Sequence, residues 1–527
     1  MKKIIVTDAV DKKCIPVLES GGIEVKYQPG ISRDELKKII PEYNGLIVRS
    51  ETQVDSDLIS LMNNMEVIGR AGTGVDNIDV DAATRKGIIV MNTPGGNTIS
   101  TAEHTMALMV SMCRNIAQAN QSMRSGKWDR KKYKGTELHS KTLGIIGLGK
   151  IGREVAVRSK AFGMNVIAFD PVVSKELADK SGVELFDLNT VFEKSDIITV
   201  HVPLNDETKN LISAESLNKC KDGVKIINCA RGGIINENDL VDALDTGKVS
   251  AAAFDVYETE PPDFSGRLIN HPKIVATPHL GASTDEAQEK VAVQIAEQIL
   301  ELFQKKSARG VVNASAVEVE EDNQLKPYIK LAENIGILHS QLIKGQLKQI
   351  NINFSGSLLH SAANLLSTSF LKGFLSRRLS EFVNLINAPF LAREMGIIIN
   401  EIKTGANSSY TNLLTVECET DKETKSLAGT VFGNSEIRIV NIDSYHLELK
   451  PEGYMLFYTN IDKPGMLATV GKILADANIN IAGLSLGRLE AGKEALTVIN
   501  TDSEIEQKVL NKISAINGVR SVLKVII

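Results

Sequence analysis

The chain has 527 residues, which at roughly 150 residues per domain allows three or four domains. Its 43% apolar and 24% charged residues are those of a soluble globular protein, and Gly 40 with Pro 14 excludes collagen-like and low-complexity readings. A net charge of −5 gives no general electrostatic footprint for nucleic acid or an anionic membrane. Five scattered cysteines (Cys14, Cys113, Cys220, Cys229 and Cys418) form no CxxC pair, which argues against a disulfide framework or zinc knuckle; no metal site is read. The start Met1–Asp8 turns polar too soon for a secretory signal, and the longest apolar stretches, such as Met106–Met112, are too short to span a bilayer. A cytoplasmic location is expected.

The first 95 residues alternate strands (Lys3–Thr7, Glu24–Tyr27, Leu46–Arg49, Val67–Arg70, Ile88–Asn92) with helical segments such as Ser32–Ile40 and Ser56–Met62. That alternation predicts a doubly wound parallel sheet, whose ligands bind beyond the strands' carboxyl ends. Arg49 and Arg70 both close predicted strands. A long helix, Thr98–Met123, leads to a further βα series: Thr142–Ile146, Asn165–Asp170, Asp196–Val200, Lys225–Asn228, Ala251–Asp255 and Ile274–Ala276. The helical pattern Ser283–Gln304 has room to return to the first unit, so this later series reads as an insertion within it. The acidic run Glu318–Asp322 reads as a connector. After it come an amphipathic helix (Leu325, Tyr328, Ile329, Ala332, Ile335), a helix Leu358–Leu385, and antiparallel-looking strands Asn412–Glu419, Ser426–Phe432, Ile437–Ile442 and Tyr445–Leu449. Tyr454–Ile527 has the order βαββαβ, with Glu490–Lys493 as the hairpin turn. The expected division is 1–95 with 283–313, then 96–282, 316–452 and 453–527.

The segment Gly147-Leu-Gly149-Lys-Ile-Gly152 follows an apolar strand and opens a helix predicted over Arg153–Phe162. Asp170 ends the next strand eighteen residues after Gly152. This is the context a dinucleotide fingerprint requires. Gly147 permits the tight turn, Gly149 lets the backbone approach a pyrophosphate, and Gly152 lets the helix sit close to the strand; the helix N-terminus attracts the anion. The Asp170 carboxylate accepts from a ribose hydroxyl and repels a 2′-phosphate, so NAD is favoured over NADP.

Arg231, Glu260 and His279 also lie at predicted strand ends. Oxidising a secondary alcohol needs a base for the hydroxyl proton, a cation for the neighbouring carboxylate, and a hydride acceptor. Histidine with a carboxylate partner suits the first task and arginine the second. These residues stand in Asn228-Cys-Ala-Arg-Gly-Gly, in the segment ending Glu260-Pro-Pro, and in Thr277-Pro-His-Leu-Gly. Together with the glycine fingerprint, they resemble the motifs of the D-isomer-specific 2-hydroxyacid dehydrogenases. The resemblance implies that His279 is the acid/base, Glu260 its partner and Arg231 the anchor of the substrate carboxylate. It extends the cofactor contacts to Thr73, Lys150, Ile151, Thr208, Cys229, Ala230, Asp255 and Gly281. Cys229 is read as a packing residue, since hydride transfer needs no nucleophile.

Across all four blocks the chain resembles the long form within that family, which oxidises 3-phospho-D-glycerate to 3-phosphohydroxypyruvate with NAD on the way to L-serine. The implied fold is a Rossmann-type sheet inserted in a flavodoxin-like substrate domain, then an α+β intervening domain and a ferredoxin-like ACT domain. Within that likeness Arg49, Arg70, Asn97 and, from a neighbouring subunit, Arg130 bind the charged ends of the substrate. The basic run Lys127–Lys134 becomes a phosphate clamp. The ACT resemblance implies L-serine as effector at Asn460, Asp462 and Asn480, although Asn460 stands where that family often has histidine or tyrosine. It also implies a homotetramer. Two alternatives stay open. A dehydrogenase for glyoxylate, hydroxypyruvate or 2-hydroxyglutarate has no use for Arg49 and Arg130 together. An NAD(H)-sensing interaction protein needs no complete Arg231, Glu260 and His279 set.

Overall fold

Four-residue strands build the first sheet, apolar except at the edge strand β2: β1 Lys3–Val6, β2 Glu24–Tyr27, β3 Gly45–Val48, β4 Val67–Arg70 and β5 Ile89–Asn92. All pairings are parallel, in the order β2-β1-β3-β4-β5. Such a sheet needs both faces covered, and alternate residues divide between them. Ile4, Val6, Ile47 and Val67 pack with Val291, Ala292, Ile295 and Ile299 of helix Asp285–Phe303. Ile5, Leu46, Val48 and Ile68 pack on the other side with Leu36, Leu58 and Ile59. The structure, a computed structural model, describes residues 1–304, 309–313, 324–380, 382–406, 409–433 and 435–527. The acidic run Glu318–Asp322 lies outside the described residues.

The second sheet comprises β6 Thr142–Ile146, β7 Asn165–Phe169, β8 Glu184–Leu185, β9 Ile197–Val200, β10 Val224–Asn228, β11 Val249–Phe254 and β12 Ile274–Ala276. It is wholly parallel, in the order β12-β11-β10-β9-β6-β7-β8. The order reverses between β6 and β9, which opens a ligand crevice at their carboxyl ends. The helix predicted over Thr98–Met123 is two, Thr98–Cys113 and Ile116–Arg124, broken where Asn115 adopts φ 52°; asparagine tolerates that left-handed conformation better than most residues.

The third sheet contains β13 Leu347–Ser355, β14 Ile398–Thr404, β15 Leu413–Thr420, β16 Thr424–Phe432, β17 Glu436–Ile442 and β18 Tyr445–Leu449, in the order β14-β13-β15-β16-β17-β18. Sequence reading missed β13 and β14, which pair in parallel. β14 is an edge strand that buries almost nothing and so shows no alternation. The helix predicted over Leu358–Leu385 is Ser357–Ser361 and Ala363–Leu375, with a separate helix Ala388–Glu394 beginning at a proline. Asn384 and Asn387 donate to the Gly87 and Arg85 carbonyls at 2.8 and 3.1 Å, joining this unit to the first.

The fourth sheet is antiparallel: β19 Tyr454–Ile461, β20 Ile481–Arg488, β21 Glu494–Thr501 and β22 Val519–Ile526, in the order β20-β21-β19-β22. Leu456, Tyr458 and Ile499 face its own helices, Met466–Asp476 and Gln507–Ser514. Met455, Phe457, Leu496, Val498 and Val525 face the other way and join one core with helix Lys326–Leu342 and the third sheet. Gln341 seals this contact by exchanging two hydrogen bonds with Ile526, at 2.9 and 3.1 Å. Phe457→Ala is therefore expected to cost about 3–5 kcal/mol and to melt both sheets in one transition. Independent melting of the two sheets, or a negligible loss, would contradict the shared core.

Candidate active site

The glycine turn is held by contacts only glycine permits. Gly147 has φ +96°, and a Cβ there would sit 2.4 Å from the His201 carbonyl oxygen; one on Gly152 would sit 2.2 Å from that of Gly147. Gly149, the N-cap of helix Lys150–Ala161, has nothing within 4 Å of where its Cβ would be. The helix thus starts earlier than predicted, and its unsatisfied amides meet open space, the cradle a pyrophosphate requires. Asp170 ties the turn to the end of β7: one carboxylate oxygen accepts from Val172 and Val173 N–H at 2.8 and 2.9 Å, the other from Leu148 N–H at 2.8 Å. The oxygen bonded to Leu148 keeps an acceptor position.

A cleft of about 410 Å³ lies beside the turn. Thr73, Asn97, Ile151, Cys229, Ala230, Arg231, Asp255, His279 and Gly281 line it, as the sequence places them. Lys150 extends its ammonium over Gly95. Burial pushes the Cys229 thiol up to about 12, which removes it as a nucleophile. The Thr208 hydroxyl donates to the Pro203 carbonyl at 2.6 Å and braces a turn next to the wall that His201, Val202, Pro203 and Leu204 form. Their one legible signal was their place directly after β9, beside the point where strand order reverses.

His279 Nδ1 lies 2.7 Å from Glu260 Oε2, and Glu260 Oε1 accepts from Tyr257 N–H at 3.1 Å. Burial pushes the Glu260 carboxyl up, but His279 and the Tyr257 amide outweigh it and hold it below the usual range. An ionised Glu260 fixes the proton on Nδ1 and leaves Nε2 as a base. Asp255, 1% exposed, accepts from Thr277 Oγ1, Leu280 N–H and Gly281 N–H at 2.6, 2.7 and 2.8 Å, and lies 3.0 Å from His104 Nε2. Burial raises it; the donors more than offset that. His104 and Thr101, whose hydroxyl donates to the Gly281 carbonyl at 3.1 Å, carried no sequence signal.

Arg231 Nε lies 3.2 Å from Asp76 Oδ2 across the cleft. Asn228 shapes its loop, donating to the Arg231 carbonyl at 2.9 Å and accepting from Ala230 N–H at 3.0 Å. Arg70 donates to Asn77 Oδ1 and the Ala71 carbonyl at 3.3 and 3.1 Å. Burial pushes it down to about 10, and the Arg49 and Arg231 charges act the same way against Asp8 and Asp76. Arg49 places Nη1 3.3 Å from the Ala9 carbonyl. Asn97 accepts from Thr73 Oγ1 at 2.9 Å. Arg130 is exposed and outside the cleft of its own chain.

The three expected effector residues do not meet within one chain. Asp462 N–H donates to the Lys493 carbonyl at 2.7 Å, just before β21, and Asp502 N–H to the Asn480 carbonyl at 3.2 Å, just past its end. Eight strand residues separate them, about 25 Å at 3.3 Å per residue. Asn460 is buried, donates to its neighbour's carbonyl at 2.8 Å and leaves Oδ1 without a partner; Asp462 meets Arg488 at 3.2 Å and Asn480 donates to Asp502 at 2.6 Å.

Residues 106–281 match the model of the D-isomer specific 2-hydroxyacid dehydrogenase NAD binding domain. Residues 324–443 match the D-3-phosphoglycerate dehydrogenase intervening domain, and 454–518 the ACT domain. Among similar proteins named D-3-phosphoglycerate dehydrogenase, that of Archaeoglobus fulgidus is 43% identical over 98% of both chains. That of Bacillus subtilis is 41% identical over 99% of both, and that of Homo sapiens 38% identical over 94% of both. A solved structure, NAD+-bound 3-phosphoglycerate dehydrogenase of Entamoeba histolytica, is 29% identical with a TM-score of 0.51, covering 59% of this chain and 98% of its own.

A depressed Arg70 means the folded chain carries an unfavourable cation at every pH below about 10. Arg70→Met is expected to raise the thermal stability of the unliganded protein by on the order of 1 kcal/mol after solvent screening. A lower melting temperature would contradict this.

Proposed function

Since the chain belongs to the D-isomer-specific 2-hydroxyacid dehydrogenases, in the branch whose full-length members are named D-3-phosphoglycerate dehydrogenase, we propose that it oxidises 3-phospho-D-glycerate to 3-phosphohydroxypyruvate with NAD. One observation carries the substrate: Arg70 lies near enough to Arg49 and Arg231 to feel both charges, and Arg231 lines one cleft with His279. A simple hydroxy acid needs one cation for its carboxylate; two more match a doubly charged phosphate.

Bound NAD supplies the hydride acceptor, and the protein supplies the rest. Gly149 and the helix amides hold the pyrophosphate, while the open acceptor of Asp170 takes a ribose hydroxyl. Thr73, Lys150, Ile151, Thr208, Cys229, Ala230, Asp255 and Gly281 would hold the rest of the cofactor. Arg231 exchanges Asp76 for the substrate carboxylate by a bidentate grip. His279 Nε2 takes the hydroxyl proton, and Glu260 stabilises the imidazolium that forms. Arg49, Arg70 and Asn97 hold the other end of the substrate, and Arg130 of a neighbouring subunit completes the clamp.

The chain works as a cytoplasmic homotetramer feeding L-serine biosynthesis, with L-serine as effector at the ACT domain. The separation of Asn480 from Asp462 supports a site shared between subunits. β20 is an edge strand, and antiparallel pairing of two copies would set the beginning of one strand, next to Asn480, beside the end of the other, next to Asp462.

NADH formation on adding 3-phospho-D-glycerate and NAD, with and without L-serine, tests this reading. Activity that serine suppresses supports it whole; activity indifferent to serine removes the effector; oxidation only of unphosphorylated acids removes the substrate. His279→Ala is expected to lower kcat at least about a hundredfold while NADH still binds, and near-normal turnover would remove it from the mechanism. Arg49→Ala is expected to raise KM for 3-phospho-D-glycerate about tenfold or more without changing KM for NAD; an unchanged substrate KM would place the clamp elsewhere.

A further inference from the structure

His279 adopts φ +53°, a left-handed conformation unusual for any residue but glycine, which persists only where the surroundings over-determine it. Glu260 aims the ring, but the backbone is held by Asp255. Thr277 Oγ1, Leu280 N–H and Gly281 N–H, two residues before His279 and the two after it, all donate to that one carboxylate. The sheet fixes the backbone on both sides, with Asp255 N–H donating to the Asn228 carbonyl and Thr277 N–H to the Phe254 carbonyl, each at 2.9 Å, but it does not set the direction of the Asp255 carboxylate.

A side-chain reference for that carboxylate comes from another element. His104, on helix Thr98–Cys113, places Nε2 3.0 Å from Asp255 Oδ1, and Thr101 on the same helix donates to the Gly281 carbonyl. Asn97, Thr101 and His104 stand at i, i+4 and i+7, which is one helix face. Asn97 in turn meets Thr73 of the first unit. One helix face therefore runs from the substrate-side loop to the histidine turn. A carboxylate as buried as Asp255 tolerates no loss of a donor without cost.

We propose that His104 is a positioning residue for catalysis: with Thr101 it docks the His279 turn, through Asp255, onto helix Thr98–Cys113. This rests on the dehydrogenase reading of the cleft. A purely structural histidine would alter folding stability and leave turnover untouched. A positioning histidine sets kcat, because a displacement of about 1 Å costs up to about a hundredfold in rate.

The test compares His104→Leu with His104→Gln in the full-length protein, measuring kcat, substrate KM, NADH affinity and melting temperature. His104→Leu removes the donor, whereas the Gln amide returns an N–H at similar reach. The expected result is a kcat about tenfold to a hundredfold lower in His104→Leu, with substrate KM and NADH affinity near wild type, and most of the loss recovered in His104→Gln. Equal kcat in His104→Leu and wild type would overturn the proposal, as would a glutamine variant as slow as the leucine one, or a loss lying wholly in KM. A wild type that oxidises only another 2-hydroxy acid would sink the substrate reading alone, and the same comparison on that acid would decide His104. A wild type that oxidises none would overturn both.

Discussion

The delivery of three guanidinium groups to one region by the strand ends of two parallel sheets is the constraint on which the rest of this site depends. Arg49, Arg70 and Arg231 come from two different sheets; burial pushes Arg70 down, the charges of Arg49 and Arg231 act the same way on it against Asp8 and Asp76, and Arg231 keeps its pair with Asp76 at 3.2 Å. A fold built for stability alone would not gather them. Two parallel sheets make it possible, because each delivers its strand ends to one edge: Arg70 closes β4, Arg49 follows β3 and Arg231 follows β10. Positive charge gathered in this way favours an anion that carries more than one negative charge.

The same edge explains which parts were legible in the sequence. Parallel strands buried on both faces read as continuous apolar runs, so β1 to β5 and the main strands of the other parallel sheet were placed within a residue or two. The glycine spacing was legible because each glycine answers to a contact with a backbone oxygen or to open space. Glu260 and His279 were legible because they stand beside turn residues at strand ends. What escaped depends on tertiary contact. β14 buries too little to show a period, and nothing local distinguishes His104 from a satisfied helix histidine. The wall residues His201–Leu204 act by position rather than by side-chain type.

The carboxyl-terminal third couples to the catalytic part in a lopsided way. The third and fourth sheets share one apolar core, so a force applied to the ACT domain reaches the intervening domain through packed side chains. The contact with the first unit is mainly polar: the Asn384 and Asn387 amides on the Gly87 and Arg85 carbonyls and the Arg85–Glu394 pair, with Ile386 packed against the first sheet's core.

The proposed mechanism turns on one step, the passage of a hydride from the hydroxyl-bearing carbon of 3-phospho-D-glycerate to NAD, with His279 as the proposed base for the hydroxyl proton. Single-turnover oxidation of substrate deuterated at that carbon tests it most directly. The expected result is NADH carrying the deuterium, formed in the wild type and lost with His279→Ala. NADH that carries solvent hydrogen instead, or labelled NADH formed at an undiminished rate without His279, would contradict it.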